Sequence, residues 1–333
     1  MAEPFIIEVT RGSRVESLHR GAVAVVDASG RSVYARGDVA RPVFPRSAVK
    51  VFQAIPLIES GAADALGFDE ADLSLACASH SGEAAHADRA ASMLGKAGLT
   101  GEALECGCHW PFDQKIAIAM ARGGGQPTAL HNNCSGKHAG FLCSAVHLGE
   151  ETRGYVRAEH PVQRRVRAVF EDLAGIALPA ELCGIDGCAI PTYAAPLEAF
   201  ALGFARLAGG TGVTADRAAA GRRLIAACIA EPWFMSGTGR ACRRLIEAGD
   251  GRVFVKTGAE GVFCGALPDQ GIGFALKIED GATRAAEAAV AATLSAILAK
   301  GDPALSERYA ALARTPLRNW NGDHVGEVRP AGF

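Results

Sequence analysis

Two short motifs, far apart in the chain, each place a lysine close to a residue with a hydroxyl group. Ser47 and Lys50 form a Ser-x-x-Lys motif, and Lys256 begins a Lys-Thr-Gly motif far downstream. A serine hydroxyl is a poor nucleophile at neutral pH and needs a neighbouring base to take its proton. In this order the two motifs are the paired signature of serine acyl-transfer enzymes. The sequence therefore predicts an enzyme.

The first motif has the spacing and the surroundings of a nucleophile with its base. On a helix, Ser47 and Lys50 share one face, with Cβ atoms about 5–6 Å apart. Val49, Val51 and Phe52 surround the lysine with apolar side chains. Desolvation disfavours the ammonium form of a buried lysine, which favours an amine that accepts a proton. A solvated helix pair is the alternative, but a buried lysine without a partner is costly.

Two further candidate catalytic residues are Lys256, at the end of a predicted strand, and Ser79, in a predicted loop. Lys256 ends the apolar stretch 253–255, and Gly258 permits a close approach of substrate, as at the edge of a cleft. Ser79 lies in the loop 78–82 between two predicted helices. A surface lysine and a helix N-cap are the respective alternatives.

A cluster of thiols and nitrogens forms a third candidate. Cys134, Lys137 and His138 are spaced i, i+3, i+4 at the beginning of a predicted helix, so they face one way. Cys188 ends a glycine-containing turn, 183–188, that can approach them. Zinc takes thiolates readily, and two cysteines plus one nitrogen leave a fourth position open. Lysine must bind deprotonated, which costs about 4–5 kcal/mol at pH 7, so core cysteines and a helix-face lysine are the simpler interpretation.

The elements that must position these residues follow from the apolar pattern. An early hairpin is predicted from strands 22–26 and 31–35, with its turn at 27–30. A buried helix, apolar nearly all round, follows Ser47. Three short strands over 252–256, 261–267 and 273–278 predict an antiparallel meander. Further helices are predicted over 83–94, 115–121, 135–148, 161–174, 216–229, 238–247 and 282–299, and a polar tail folded back on the body follows.

These elements predict an α/β (α+β) fold. The N-terminal hairpin and the C-terminal strands form one antiparallel sheet flanked by helices, and the helical middle forms a second lobe. We expect a single catalytic domain, with a sheet lobe over about 1–45 and 250–333 and a helical lobe over about 46–249. The active cleft is predicted between the lobes.

Composition excludes several classes of protein. The 333 residues are 49% hydrophobic and 21% charged, with a formal net charge of -2, so no global field attracts nucleic acid or an anionic membrane. No apolar run has the length of a membrane span. The N-terminus lacks a signal-peptide pattern, and ten cysteines are too few for a disulfide-stapled scaffold of this length. We therefore expect a cytoplasmic protein whose thiols are free or bind metal.

The chain resembles the rhizobial-type (class 3) L-asparaginases, of the serine β-lactamase and glutaminase-like fold, over essentially its whole length. The resemblance rests on the segments 9–12, 15–17, 45–50, 76–80, 131–138, 184–188 and 256–261. One departure is Ser81, which stands where asparagine is common after the Ser-His pair.

This resemblance implies two Ser–Lys pairs in one cleft, Ser47 with Lys50 and Ser79 with Lys256. We assign Ser47 as the nucleophile that attacks the side-chain amide of L-asparagine, with Lys50 taking its proton. Ser79 and Lys256 then relay a proton to the departing ammonia and activate the hydrolytic water. The family also implies a homodimer.

The resemblance further implies a zinc ion held by Cys134, Lys137 and Cys188 together with a water. This Zn²⁺ is expected to support substrate binding and not to be the hydrolytic centre, because the Ser–Lys pairs already supply a nucleophile.

Four residues are candidates for substrate binding. Arg46 can pair with the α-carboxylate, and Asp186 can accept from the α-ammonium or orient a zinc-bound water. His138 can contact substrate, and Cys242 can line the cleft. A surface arginine, a turn-forming aspartate and a core histidine are the alternatives.

Two other functions compete with an asparaginase. A serine glutaminase shares the Ser-x-x-Lys motif but does not need the Cys134 block. A non-catalytic zinc- or thiol-binding protein on a hydrolase scaffold is the alternative from another class, although four intact Ser and Lys residues argue against it. A β-lactamase or peptidase is disfavoured because no export signal is present.

Overall fold

The computed structural model describes residues 3–333. Its strands, in chain order, are β1 (Phe5–Arg11), β2 (Arg14–Asp27), β3 (Ser32–Arg36), β4 (Pro42–Val43), β5 (Cys183–Ile185), β6 (Pro191–Tyr193), β7 (Ala195–Pro196), β8 (Phe254–Gly258), β9 (Val262–Leu267), β10 (Ile272–Ile278), β11 (Thr315–Arg318) and β12 (His324–Pro330). Its α-helices are α1 (Lys50–Glu59), α2 (Ala62–Ala65), α3 (Glu70–Ala76), α4 (Ala84–Lys96), α5 (Gln114–Arg122), α6 (Ser135–His147), α7 (Pro161–Ala174), α8 (Leu197–Gly209), α9 (Ala215–Ala230), α10 (Pro232–Ser236), α11 (Ala241–Ala248), α12 (Thr283–Leu298) and α13 (Pro303–Leu312). No helix in this range is long and apolar enough to cross a membrane.

The chain divides into two compact units. Unit 1 comprises the chain up to Ala48, Ala195–Gly209 and Arg244–Phe333, and unit 2 comprises Val49–Ala194 and Gly210–Arg243. Helix α8 thus groups with the sheet, whereas the sequence prediction counted this stretch with the helical middle.

Unit 1 is built on one antiparallel sheet of order β11-β12-β1-β2-β10-β9-β8, with β3 paired to β2. The N-terminal hairpin joins the C-terminal meander through β2 and β10, where Val25 lies opposite Phe274. This confirms the predicted α/β class with a sheet shared between the two chain ends. The C-terminal segment, predicted as a polar tail, instead forms α13, the edge strand β11 and its neighbour β12, which pairs with both β11 and β1.

Helix α8 packs closely on this sheet. An added Cβ at Gly273 of β10 would collide with the backbone carbonyl of Ala201, so only glycine permits this approach. Phe204 of α8 stacks on Phe254 of β8 with ring centroids 5.9 Å apart. Helix α12 packs on β10 and β12. Helices therefore flank the sheet, as the sequence predicts.

Unit 2 is mainly helical. Helix α1 packs against α6, α7 and α9, and α3 packs against α6 and α9. Residues 50–57 of α1 are buried, which matches the apolar pattern around this helix. The short hairpin β5–β6 belongs to the same unit and carries Cys188 in its turn. Unit 2 therefore contains Lys50, Ser79 and the cluster of Cys134, Lys137 and Cys188, whereas Ser47 and Lys256 belong to unit 1.

Candidate active site

Ser47 lies in a short 3-10 turn, Arg46–Val49, immediately before α1. Arg46 has φ of 51°, a left-handed conformation that is unfavourable for a residue with a side chain. An added Cβ at Gly258 would collide with Pro45 O and lie 3.2 Å from Ala48 N. The Lys-Thr-Gly motif needs its glycine because the end of β8 packs directly against the turn that carries Ser47.

Lys256 lies on β8 opposite Cys264 of β9. Its side chain is 1% exposed, and its Nζ donates to the carbonyl of Thr257 at 2.9 Å. The alternative of a surface lysine is therefore wrong. Unit 1 thus brings together the Ser47 turn and the strand end that holds Lys256.

In unit 2, Lys50 is 1% exposed and its ammonium meets acceptors from separate segments. Its Nζ donates to the carbonyl of Ala78. It also lies 3.1 Å from Ser79 Oγ and 3.0 Å from Cys134 Sγ. A lysine ammonium has three donors, and each has a partner here, which stabilises the buried charge.

Ser79 is held in the loop that follows α3. It is 5% exposed, and its backbone N–H donates to the carbonyl of Met235 at 3.0 Å. The next residue, His80, donates its backbone N–H to Asn133 O at 3.2 Å. The Ser79 loop is therefore tied to the segment that leads into Cys134, and a simple N-cap role for Ser79 does not describe it.

The thiol cluster also converges. Cys134 is the N-cap residue of α6, and Lys137 follows in its first turn. Lys137 Nζ lies 3.0 Å from Cys188 Sγ, and the thiols of Cys134 and Cys188 share a hydrogen bond. All three side chains are less than 5% exposed.

Charge is unevenly distributed over this cluster. The Cys188 thiol donates to Cys134, and this bond, with the nearby Lys50 and Lys137, holds the pKa of Cys134 well below its usual value despite burial. The same bond and burial raise the pKa of Cys188. Burial opposes the charge on Lys137, but the two cysteines raise its pKa above the ordinary range. Cys134 is therefore the thiolate of the pair.

The donor set suits a thiophilic metal. Two sulfurs and one amine nitrogen gather at one point, which matches the preference of Zn²⁺ for thiolate and nitrogen ligands and leaves a position open. Among residues 3–333, no group of three or more His, Cys, Asp or Glu side chains is placed to hold a metal ion. The ten cysteines of the sequence are free thiols.

The four substrate-binding candidates occupy different surroundings. His138 is fully buried, with Nδ1 2.8 Å from the Tyr155 hydroxyl. Asp186 accepts from the N–H of Gly187 at 2.7 Å, as a turn residue does, and its charge also reaches Lys137. Cys242 is buried on α11, and Arg46 lies beside Ser47.

A Ser–His pair that the sequence analysis did not identify consists of the residues that follow Ser79 and Cys134 in the chain. His80 Nε2 is 2.9 Å from Ser135 Oγ, and both residues are fully buried. The backbone N–H of Gly82 donates to His80 Nδ1 at 3.1 Å, so the ring proton is on Nε2 and is donated to Ser135. In this tautomer His80 cannot take a proton from Ser135, and the pair is structural.

The site thus places a buried lysine between a serine hydroxyl and a cysteine sulfur in an α/β protein. A family model, L-asparaginase II, matches residues 7–330, so the chain belongs to the L-asparaginase II family. This confirms the resemblance to asparaginases drawn from the motifs.

Other comparisons are weaker. No curated protein matches the chain. Two solved structures of Mglu, one of them in its glutamate form, are 16% and 18% identical, each with a TM-score of 0.37. Each match covers 81% of this chain but only 65% and 59% of those proteins, so this chain spans less than two thirds of their length.

Proposed function

We propose that the protein hydrolyses L-asparagine to L-aspartate and ammonia through an acyl-serine. The observation that carries this proposal is the buried contact between Lys50 and Ser79, in a chain of the L-asparaginase II family. A buried amine beside a hydroxyl is the arrangement that activates a serine without histidine.

In the proposed reaction Ser47 attacks the side-chain amide carbon. The support for Ser47 is that it is half-buried and follows the strained Arg46. Lys50 first loses the proton of its ammonium form and then, as the free amine, takes the Ser47 proton, while backbone N–H groups at the start of α1 stabilise the oxyanion. Ser79 and Lys256 deliver a proton to the departing ammonia and then activate the water that hydrolyses the ester.

The direct contact between Lys50 and Ser79 also favours a variant of this scheme in which Ser79 attacks. Rapid quenching of a reaction with asparagine, followed by proteolysis and mass spectrometry, locates the ester. An ester on the peptide that contains Ser47 supports the first assignment, and an ester on the Ser79 peptide replaces it. Ser47→Ala and Ser79→Ala variants are the matched pair for this measurement, since each removes only one hydroxyl.

We also propose that Cys134, Lys137 and Cys188 hold Zn²⁺. When bound, the metal supplies a Lewis-acidic centre that orients the amino-acid end of the substrate through a water. The residues of this chain do the remaining work. Asp186 accepts from the α-ammonium, and Arg46 pairs with the α-carboxylate through its planar fork of donors. His138 and Cys242 complete the binding surface, and the hydrolytic chemistry stays with the serines and lysines.

The choice between amide substrates is decided by turnover. Ammonia release from L-asparagine and from L-glutamine is measured side by side on the purified protein, with Ser47→Ala as the background. Faster release from asparagine supports the proposal, and faster release from glutamine favours the serine glutaminase. Release from neither amide, with stoichiometric zinc bound, favours a non-catalytic metal- or thiol-binding protein. A homodimer and a cytoplasmic location stay predictions.

A further inference from the structure

A buried hydrogen-bond chain ends at His138. The backbone N–H of Glu105 donates to the Tyr155 hydroxyl at 2.9 Å, and this hydroxyl lies 2.8 Å from His138 Nδ1. Tyr155 and His138 are both fully buried. The tyrosine is fixed from two sides, because Gln163 Nε2 donates to its carbonyl and Gly154 N–H donates to the Glu105 carboxylate.

The direction of this chain fixes the tautomer of His138. The Tyr155 oxygen already accepts from Glu105, so its own O–H needs an acceptor, and His138 Nδ1 is the one within reach. If Nδ1 carried the proton instead, the phenolic O–H would be buried without a partner, which is costly. Burial raises the pKa of Tyr155, so the O–H is retained. The proton of the His138 ring is therefore on Nε2.

The other ring nitrogen of His138, Nε2, lacks a hydrogen-bond partner in the described structure. This atom is also buried. A buried donor without a partner is rare in folded proteins and marks a place where a ligand or a water is missing. His138 belongs to the same buried cluster as Lys137 and Lys50, which both act on it electrostatically. A buried N–H donor needs an oxygen acceptor, and the amino-acid substrate of the proposed function offers carboxylate oxygens.

We propose that Tyr155 is a positioning residue that keeps His138 as an Nε2–H donor, and that this donor binds a carboxylate oxygen of the amino-acid substrate. The proposal rests on the proposed function for the identity of the substrate. Tyr155 acts only through His138.

The tautomer is measured on protein with ¹⁵N-labelled histidine, from the one-bond and long-range couplings of the His138 ring at a single pH. The wild-type ring is expected to carry its proton on Nε2, and L-aspartate is expected to move the Nε2–H resonance. In Tyr155→Phe the tautomer ratio is expected to shift by about fivefold toward Nδ1–H, since one neutral hydrogen bond is lost. Tyr309→Phe is the matched control, because Tyr309 is equally buried and its hydroxyl donates to Leu245 O at 2.7 Å.

Kinetics separate positioning from a merely structural role. Tyr155→Phe is expected to raise the KM for asparagine roughly tenfold with a much smaller change in kcat, and Tyr309→Phe to change neither. His138→Gln retains a side-chain N–H donor on a longer stem, and His138→Asn ends near the Nδ1 position. The first is expected to bind L-aspartate more tightly than the second, and this comparison holds even if Tyr155→Phe fails to fold.

A wild-type ring protonated on Nδ1 would overturn the proposal. So would an Nε2–H resonance that L-aspartate does not move, or a Tyr155→Phe variant that matches Tyr309→Phe in tautomer and KM. The tautomer is read without substrate. A protein that releases no ammonia from asparagine therefore refutes the proposed function and leaves the Tyr155–His138 assignment to be decided by the couplings alone.

Discussion

The ammonium of Lys50 lies 3.1 Å from the hydroxyl of Ser79, a residue 29 positions away in the chain. The same nitrogen lies 3.0 Å from Cys134 Sγ. One buried cation thus contacts both the serine loop and the thiol cluster. This arrangement couples the proposed hydrolytic chemistry to the proposed metal site through a single side chain.

Replacing Lys50 by Met tests this coupling, because Met keeps most of the volume and removes the amine. We expect ammonia release from asparagine to fall by roughly a hundredfold or more, the usual contribution of a positioned base. Lys300→Met, at an exposed position, is the control and is expected to behave as wild type. Circular dichroism of both variants checks the fold. A Lys50→Met protein with normal turnover would remove Lys50 from the mechanism.

Gly258→Ala tests the contact between the Lys-Thr-Gly motif and the Ser47 turn. The added methyl would collide with Pro45 O, so the turn must move. We expect a loss of stability of about 1–3 kcal/mol, as for overpacking in a core, and a larger fractional loss of turnover because Ser47 is displaced. Urea unfolding and ammonia release measure the two effects. At Gly301 an added Cβ meets no atom within 4 Å, so Gly301→Ala should change neither, and an equal effect in both variants would contradict this explanation.

Much of the fold follows from local sequence signals. Helix α7 begins at Pro161 and ends at Ala174, as predicted, because proline is favourable at the first turn and Gly175 adopts φ of 67° after the last. The meander β8–β10 was predicted from the glycines between its strands. Helices α8 and α13 were missed, although α13 begins with Asp302 as its N-cap and Pro303 in its first turn, signals of the same kind.

The site was less predictable, because its contacts join segments that are distant in sequence. Spacing suggests Ser47 as the partner of Lys50, and no local pattern indicates that Ser79 and Cys134 contact this lysine. These contacts depend on α1 packing against α3 and α6. The grouping of Lys137 with Cys188 came from the family resemblance, while the residues alone favoured core packing. No sequence pattern pointed to Tyr155, because its proposed role depends on a hydrogen bond to a residue 17 positions away in the chain.

Cys188→Ser tests the zinc site. We expect wild-type protein purified without chelator to contain about one zinc per chain by elemental analysis, and Cys188→Ser to lose most of it, because a hydroxyl is a poor substitute for a thiolate ligand. Cys143→Ser is the control, since Cys143 is equally buried but donates to Met93 O in the core. Wild-type protein that contains no metal after growth in zinc-supplemented medium would contradict the zinc site and leave the cluster a packing role only.

His80 gives stability a pH dependence whose sign can be worked out. Burial, followed by the charges of His86 and Lys50, holds the pKa of His80 well below its ordinary value of 6.5. Below pH 6.5 the unfolded chain therefore binds a proton that the folded chain does not, so stability falls as pH falls and is fully present above pH 6.5. One such group contributes a slope of up to about 1.4 kcal/mol per pH unit. His80→Asn retains an acceptor for the Gly82 N–H. In this variant the free energy of unfolding is expected to depend less steeply on pH between pH 6.5 and 5, with a slope reduced by up to this amount. His147 is exposed, so His147→Asn should leave the slope unchanged. Urea unfolding at several pH values measures it, and an unchanged slope in His80→Asn would show that this histidine is not held neutral.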